Sequence, residues 1–372
     1  MKVAIIEPVG GHGGMDYYDY GLSYGLGQND CDVDYYTCSK TKKRHYKNVT
    51  TKLSFGEIWT KGKLGKGFKF FYGYILSFLS AKLRKKDLVH LHFFDLSFLN
   101  VSVLFLAKII FQHTVVITFH DVNSFKSSAT GLNLKKVFAW MDKIIVHNEF
   151  SKKELLSKGV EVHKVEIIPH GNYLLFVNEL DYTNIEDDNN LELLFFGQIK
   201  EVKGLDLLLE AMVKVTQKTH QVHLTIAGRP WHDDPSVYNT IIEKHKLENF
   251  VTTEYRFIPD EEVEDYFKKA DLVVLPYKRI YQSGVLLLSM SYGRPVLSSN
   301  LPAFTEIIEE GETGFIFESE NTQSLIDKIL KLEKRKEDLI KVRNKASKKI
   351  KTDFDWVEIG RKTKKLYSSI NY

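Results

Sequence analysis

Short apolar runs alternate along this chain with longer segments that carry apolar residues at helical spacing. The runs predict strands at 1–8, 32–36, 88–93, 115–119, 143–147, 165–169, 191–196, 222–227, 251–258, 271–276, 296–298 and 315–317. Helical spacing predicts helices at 15–27, 97–111 and 205–215 and another that begins at 284. Apolar strands with helices between them are typical of parallel sheets covered on both faces. The pattern therefore predicts an α/β protein in which two halves repeat one architecture.

The length of the chain and one polar segment indicate two domains. At 372 residues the chain is too long for one ordinary core and fits two domains of α/β size. The segment 179–190 is acidic, rich in asparagine and without apolar periodicity. We therefore expect an N-terminal domain at 1–178, a linker at 179–190 and a second domain at 191–350.

The stretch 271–305 has the order strand, polar loop, helix and strand. The first strand ends at Pro276, and the apolar helix opens at Gly284. The first N–H groups of a helix lack partners and carry the positive end of its dipole, so they suit a phosphate over Ser283, Gly284 and Val285. Many α/β helices begin this way without binding anything, so this segment alone is a weak indication.

A glycine-rich turn, GGHGG at 10–14, joins the first strand to the first helix. Glycines let the backbone come close to a phosphate or a sugar. The turn fits the Gly-x-Gly-x-x-Gly spacing only loosely, and the strand at 32–36 lacks a clean acidic end for a ribose. These features argue against a nicotinamide-dependent enzyme.

Histidines follow or occupy several of the predicted strands. His120 and Asp121 come directly after the strand 115–119, at the end where α/β proteins bind ligands. A histidine there can hydrogen-bond a sugar hydroxyl or a phosphate oxygen. Alternatively, Asp121 caps the next element and His120 packs beside it. His90 and His92 share one strand face without a third ligand, which favours buried, hydrogen-bonded side chains over a metal site.

Composition indicates a soluble globular protein of a reducing compartment. Cys31 and Cys38 have no metal-type spacing, and a cytoplasmic location is expected. The apolar start of the chain is too short for a signal peptide and reads as a first strand. The most apolar long stretch, 98–111, contains Asn100 and Lys108 and is shorter than the roughly 20 residues that span a bilayer.

Positive charge is concentrated between Lys40 and Lys86, where Glu57 is the only acid. Aromatic and aliphatic residues alternate with the lysines there. Such a mixture suits an anionic membrane surface, where each basic residue contributes roughly 1 kcal/mol. A solvated loop followed by an ordinary amphipathic helix is the alternative interpretation. No nucleic-acid recognition motif accompanies this charge.

The segment around Gly284 resembles the signature of the retaining, GT-B fold glycosyltransferases of family 4, the glycosyl transferases group 1. The residues that carry the resemblance are Gly284, Gly293, Pro295 and Val296, together with Lys203-Gly204 and His170-Gly171 in the corresponding turns. The resemblance extends over essentially the whole chain in the order of its turns. It implies a GT-B fold, with two Rossmann-like domains whose parallel sheets face a cleft and a C-terminal helix, 351–372, that returns to the N-terminal domain.

Three positions depart from the family pattern. Tyr281 and Ser289 stand where the family usually carries two glutamates, and Gln198 stands where it carries an arginine. A serine can donate or accept one hydrogen bond but does not bind two ribose hydroxyls as a carboxylate does. Lys200 or Arg279 are candidates to replace the missing arginine.

The resemblance also implies a set of site residues. Donor-binding residues would be Gln198, Lys203, Gly204, Ser283, Gly284, Val285, Ser289, Arg256, Ile258 and Glu306. The acceptor would meet Gly11, His12, Gly13 and Gly14. Within this set His120 would face the donor sugar and Lys203 the diphosphate, and these two are the predicted catalytic residues. Ser289 would meet the ribose, and Arg256 would lie beside the base.

The implied reaction moves a hexose from a UDP- or GDP-linked sugar to a hydroxyl of a glycan or of a lipid-linked acceptor. Retention of configuration, no metal and no further cofactor are expected, in bacterial surface polysaccharide synthesis at the inner face of the cell membrane. The competing hypothesis is a catalytically silent partner or scaffold of another transferase, motivated by Tyr281, Ser289 and Gln198.

Overall fold

A computed structural model of the chain describes residues 1–11, 14–60, 62–122, 134–180, 190–231 and 234–370. These residues form two compact units. The described part of the first unit lies within 1–171 and 354–370, and that of the second lies within 172–353.

Residues before the predicted linker already pack in the second unit. Asn172 Nδ2 donates to the Ile350 carbonyl (3.0 Å), and the Tyr173 N–H donates to Ser291 Oγ (3.0 Å). The prediction placed the boundary at 179–190, of which 181–189 fall outside the described residues.

The first unit is a parallel sheet with helical connections. Its elements are β1 (Lys2–Ile6), α1 (Met15–Gln28), β2 (Asp32–Cys38), β3 (Val49–Gly56), α2 (Lys63–Leu83), β4 (Leu88–Phe93), α3 (Phe98–Phe105, continued by a π turn at Leu106–Ile110), β5 (Val115–Phe119), α4 (Leu134–Ala139), β6 (Lys143–Val146), α5 (Glu149–Ser157) and β7 (Val165–Ile167). The described strands pair in the order β3-β2-β1-β4-β5-β6-β7. Every residue of β4 and β5 is buried, as a sheet covered on both faces requires.

The second unit repeats this architecture. Its elements are β8 (Leu191–Phe196), α6 (Leu205–Val215), β9 (Val222–Ala227), α7 (Ser236–Lys244), β10 (Val251–Glu254), α8 (Asp260–Lys269), β11 (Leu272–Leu275), α9 (Gly284–Ser291), β12 (Val296–Ser299), α10 (Pro302–Thr305), β13 (Phe315–Phe317), α11 (Thr322–Glu333) and α12 (Lys336–Asp353). The described strands pair in the order β10-β9-β8-β11-β12-β13. In each unit the order reverses beside the first strand, where open α/β sheets bind ligands. The predicted α/β class with two Rossmann-like halves is confirmed.

The last helix, α13 (Trp356–Ser368), packs on α1 of the first unit at glycine contacts. A Cβ on Gly360 would lie 2.1 Å from the Gly25 carbonyl carbon, and one on Gly25 would lie 1.9 Å from the Trp356 carbonyl oxygen. The Trp356 ring fills the space that a side chain at Gly21 or Gly171 would take. These glycines therefore set how closely the two helices approach.

One local prediction in the second unit was wrong. The strand predicted at 251–258 ends at Glu254, because the Arg256 N–H donates back to the Glu254 carbonyl (2.9 Å) in a turn that leaves the ladder. The acids that follow Pro259 belong to α8. Pro259 occupies the cap position, and the acids lie in the first turn, where they favour the helix dipole.

Both cysteines are buried free thiols. Among the helices of the described residues, none has the length and apolar character needed to cross a bilayer.

Candidate active site

In the second unit, Lys203, Gly197 and Val285 converge. A Cβ on Gly197 would lie 3.5 Å from Lys203 Nζ and 3.3 Å from Val285 Cγ2. Gly197 follows β8, Lys203 ends the 3-10 turn before α6, and Val285 is in the first turn of α9. The C-terminal edge of the sheet therefore brings the predicted lysine to the start of the predicted phosphate helix.

The turn around Lys203 is fixed by close backbone contacts. Gly204 has φ +66°, and a Cβ there would lie 2.0 Å from the Pro276 carbonyl oxygen. The N–H groups of Lys278 and Arg279 donate to the Val202 carbonyl at 2.9 and 3.4 Å. Only glycine allows both the positive φ and the close contact with the Pro276 carbonyl. Gly204 therefore holds the turn against the loop after β11.

The start of α9 leaves backbone donors available. Ser283 is the N-cap, and its Oγ accepts the Leu286 N–H (3.2 Å). The N–H groups of Gly284 and Val285 find no acceptor among the described residues. The close approach that Gly284 permits is used by Tyr173, whose hydroxyl lies 2.9 Å from the position of a Cβ at 284.

Lys203 is an unpaired, part-buried cation. Its Nζ lies 5.3 Å from the centroid of the Tyr277 ring and forms no ion pair with the described acids. Burial, followed by repulsion from Lys200, lowers the pKa of Lys203 from 10.5 to about 8. The ammonium is therefore mostly protonated at pH 7 without a counter-ion, and an anion bound here would satisfy it.

The other predicted donor residues have different surroundings. Ser289 is fully buried, and its Oγ donates to the Val285 carbonyl (2.6 Å), so a ribose contact would require this hydroxyl to leave its own helix. Arg256 is exposed and pairs with Glu254 (3.2 Å) and Glu262 (2.5 Å). Ile258 is buried, Gln198 is part-buried, and Glu306 is exposed after α10. Their roles toward a donor stay predictions.

In the first unit, histidines from successive strands line the C-terminal edge of the sheet. His92 Nδ1 lies 3.2 Å from His120 Nε2, and His120 Nδ1 lies 3.3 Å from His147 Nε2. His147 Nδ1 lies 2.9 Å from the Ile168 carbonyl oxygen. The Tyr18 ring packs against all three imidazoles, and against His170.

We call the hydrogen-bonded row of His92, His120 and His147 the imidazole chain. Its last member, His147, fixes the tautomers of the other two. A carbonyl can only accept, so His147 carries its proton on Nδ1 and accepts at Nε2. His120 then donates from Nδ1 and accepts at Nε2 from His92. Both ring nitrogens of His120 are therefore engaged within the unit, and a sugar hydroxyl at this histidine would compete with His92 or His147.

Burial shifts the pKa values of the ionisable groups at this edge toward their uncharged forms. It lowers the pKa of His147 to about 3 and that of His120 well below 6.5, and neighbouring histidines add to the effect on His120. Burial also raises the pKa of Glu7 to about 8 and that of Asp19 well above 3.8. The imidazoles and the Glu7 carboxyl are thus neutral hydrogen-bonding groups near pH 7.

The predicted acceptor turn is only partly described. His12 and Gly13 lie outside the described residues, whereas Gly11 and Gly14 have φ +72° and +90°. Gly10 packs against Thr37 and Thr41, whose hydroxyls would clash with any side chain there. Within the described ranges, no group of three or more His, Cys, Asp and Glu side chains is arranged to hold a metal ion.

Sequence reasoning missed Tyr173 and Tyr277, which surround the start of α9 and Lys203. Tyr277 directly follows Pro276, at the start of the loop that leads to Gly284. This position in the sequence was the one indication that Tyr277 lies near the site. Tyr173 comes from the first residues of the unit, and no spacing pattern connects it with Gly284. It also missed the hydrogen-bonded row of His92, His120 and His147, although His147 ends one predicted strand and His170 follows another, as His120 does.

Models of two families match the two halves of the chain. Residues 12–172 match "Glycosyltransferase Family 4", and residues 190–335 match "Glycosyl transferases group 1". The chain belongs to the GT-B glycosyltransferases of group 1 and family 4. The predicted family membership and GT-B fold are confirmed, and retention stays a prediction.

Three curated or solved proteins show what the chain is similar to. An uncharacterized 41.2 kDa protein in the cps region of Klebsiella pneumoniae is 24% identical over 67% of this chain and 70% of its own length. A GDP-mannose:glycolipid 4-beta-D-mannosyltransferase of Xanthomonas campestris pv. campestris is 30% identical, over 34% of this chain and 35% of its own length. Anabaena Alr3699/HepE, solved with UDP and glucose, superposes with a TM-score of 0.74 at 18% identity and covers 99% of this chain and 100% of its own.

Proposed function

We propose that this glycosyltransferase moves a hexose from a UDP- or GDP-linked sugar to a hydroxyl of a glycan or lipid-linked acceptor in bacterial surface polysaccharide synthesis. The observation that carries the proposal is the meeting of Lys203 with Gly197 and the start of α9. A cation without a counter-ion, two free backbone donors and a missing Cβ are what a diphosphate requires. One similar protein is a GDP-mannose:glycolipid mannosyltransferase and another was solved with UDP and glucose, which supports these two donor classes.

The proposed chemistry places charge stabilisation on the leaving group. As the bond from the anomeric carbon to the diphosphate oxygen breaks, negative charge grows on that oxygen. Lys203 and the N–H groups of Gly284 and Val285 stabilise this charge, so the chain's own groups need no metal or cofactor. With retention, the acceptor hydroxyl attacks from the face that the diphosphate leaves, and its proton passes to the departing phosphate oxygen.

The first unit offers neutral groups for sugar and acceptor hydroxyls. His120 and its partners are uncharged imidazoles, and Gly11 and Gly14 let the backbone approach. Such groups exchange hydrogen bonds with hydroxyls without the desolvation cost of a charge. We propose that this edge takes the sugar and acceptor while the enzyme works in the cytoplasm at the inner face of the cell membrane.

A panel of nucleotides and nucleotide sugars tests the proposal. Thermal unfolding is followed with UDP, GDP, ADP and their hexose conjugates, and turnover is followed by NMR, which also reports the anomeric configuration of the product. We expect one UDP- or GDP-sugar to raise the midpoint and to be slowly hydrolysed, and Lys203→Met to weaken both effects. No shift and no turnover across the panel would contradict the proposal and favour the silent partner, and a product of inverted configuration would contradict retention.

A further inference from the structure

The outer face of α2 is apolar. Between 65 and 81 the exposed positions of this helix are Phe68, Tyr72, Ile75 and Leu79, and Leu83 follows on the same stripe. Phe68 and Leu83 are 72% and 74% exposed. A solvent-facing helix stripe normally carries charged or polar residues, so this stripe indicates a surface made to contact something apolar.

The next helix of the first unit has the same property. Between 94 and 110 the exposed positions are Phe94, Phe98, Leu99, Phe105, Ile109 and Ile110. Phe98 is 77% exposed at the first turn of α3. Neither helix therefore has a polar outer face along these segments.

The two faces belong to one surface. Lys82 Nζ near the end of α2 donates to the Phe111 carbonyl (2.8 Å) just after the π turn, and the rings of Phe78 and Phe111 lie 5.6 Å apart. His113 Nε2 also contacts the Phe78 carbonyl (3.0 Å). The end of α2 therefore contacts the chain just after the π turn that continues α3, and we call the outer side of both helices the apolar face.

The charges along α2, on one side of the apolar face, are positive. The segment 58–86 contains no acid, and Lys69 and Lys85 form no ion pair with the described residues. Two basic residues of the stretch 40–86 do not belong to this positive margin. Arg84 (2.6 Å) and Lys86 (3.4 Å) form ion pairs with buried Asp34 and are structural. The remaining lysines form a cationic margin beside the apolar side chains.

We propose that the apolar face docks on the surface of an anionic lipid bilayer. Its aromatic and aliphatic side chains would enter the interface, and the lysine margin would meet the headgroup phosphates. A second copy of the chain is a poorer match, since a two-fold contact would set one lysine margin near the other. Docking uses the helix faces in the interface plane and requires no helix that spans the membrane.

The apolar face leads to the imidazole chain. The Phe94 ring, at its edge, stacks on His120 with 5.0 Å between ring centroids. A chain docked in this way would hold the C-terminal edge of its first sheet next to the bilayer. The acceptor would then be a hydroxyl carried on a membrane lipid, an inference that rests on the proposed function, whereas docking itself does not.

Vesicle binding tests the docking. The full chain is sedimented with vesicles of phosphatidylcholine and with vesicles of equal parts phosphatidylglycerol and phosphatidylcholine, over a range of salt concentrations. We expect binding to the anionic vesicles that weakens with salt, and weak binding to phosphatidylcholine alone. A Tyr72→Trp variant should be quenched by brominated lipids, whereas a tryptophan placed at Val162 should not.

Matched variants assign the effect to the apolar face. Phe68→Ser with Leu79→Ser should raise the vesicle concentration needed for half-binding by about tenfold or more, with an unchanged thermal midpoint. The controls are Val162→Ser and Ile340→Ser, which remove apolar side chains that are 64% and 42% exposed elsewhere and should bind as the wild type. Lys69→Gln with Lys85→Gln should reduce the salt sensitivity and the preference for anionic lipid.

Several results would overturn the proposal. The wild type could fail to bind vesicles, or the double variant Phe68→Ser with Leu79→Ser could bind them as well as the wild type does. The third such result is a wild-type dimer in sedimentation velocity that the double variant converts to a monomer. Hydrolysis of the nucleotide sugar without vesicles separates docking from the proposed function. Intact hydrolysis with lost docking in the double variant supports the proposal, whereas docking without any donor binding would sink the proposed function alone.

Discussion

Replacing Lys203 by methionine should stabilise the nucleotide-free protein. In the wild type the pKa of Lys203 falls from 10.5 to about 8, which corresponds to about 3 kcal/mol at roughly 1.4 kcal/mol per unit. Partial exposure makes this an upper limit, and methionine loses the contact with the Tyr277 ring, worth about 1 kcal/mol. A net gain of about 1 to 2 kcal/mol at pH 7 is expected.

The pH dependence gives this expectation a sign. Between pH 8 and 10.5 the unfolded chain holds the Lys203 proton while the folded chain has lost it, so wild-type stability rises with pH in this window. The methionine variant lacks this contribution. Its advantage should therefore be greatest below pH 8 and should vanish near pH 10.5.

Nucleotide binding should change in the opposite direction. The variant loses a charge-assisted contact to the diphosphate, worth about 1.5 to 3 kcal/mol, or about tenfold to a hundredfold in Kd. Thermal unfolding with and without UDP or GDP measures both effects. As a stability control, Lys278→Met breaks an ion pair with Asp206 (2.6 Å) and should lower stability by less than about 1 kcal/mol. A nucleotide-free Lys203→Met protein less stable than the wild type, or one with unchanged nucleotide affinity, would refute this reasoning.

Two further predictions concern the first unit. Gly360→Ala should lower the thermal midpoint by the equivalent of about 1 to 3 kcal/mol, because its Cβ would lie 2.1 Å from the Gly25 backbone. The control Gly67→Ala places its Cβ in open space on α2 and should raise the midpoint slightly. Equal midpoints for the two variants would refute the close packing of α1 and α13. Nitrogen-15 NMR at pH 6 should find His120 neutral with its proton on Nδ1. In His147→Phe the tautomer with the proton on Nε2 should become populated. A charged His120 would contradict the imidazole chain.

The elements of both sheets could be predicted because their signals are local. The strands 88–93, 115–119, 191–196 and 222–227 were predicted with the bounds that the structure shows, since apolar residues occupy most of their positions. The strand at 251 was extended too far because the turn at Arg256 has no glycine or proline to mark it.

The surroundings of the site could not be predicted because they depend on distant contacts. Tyr173 reaches Gly284 through the packing of the second unit. Arg84, at the end of α2, was counted as surface charge although it forms an ion pair with Asp34 on β2. The segment 97–111 was correctly predicted as helical, but apolar composition does not say which face stays uncovered. That information exists only once neighbouring elements are placed.

The electrostatics of the two units divide the proposed reaction between them. At the C-terminal edge of the first sheet, burial leaves His120, His147 and Glu7 uncharged near pH 7, which suits hydroxyl groups and gives little attraction to a phosphate. At the equivalent edge of the second sheet, Lys203 keeps its charge without an acidic partner among the residues that the structure describes. Attraction of the diphosphate, and with it the salt dependence of nucleotide binding, must therefore come from the second unit.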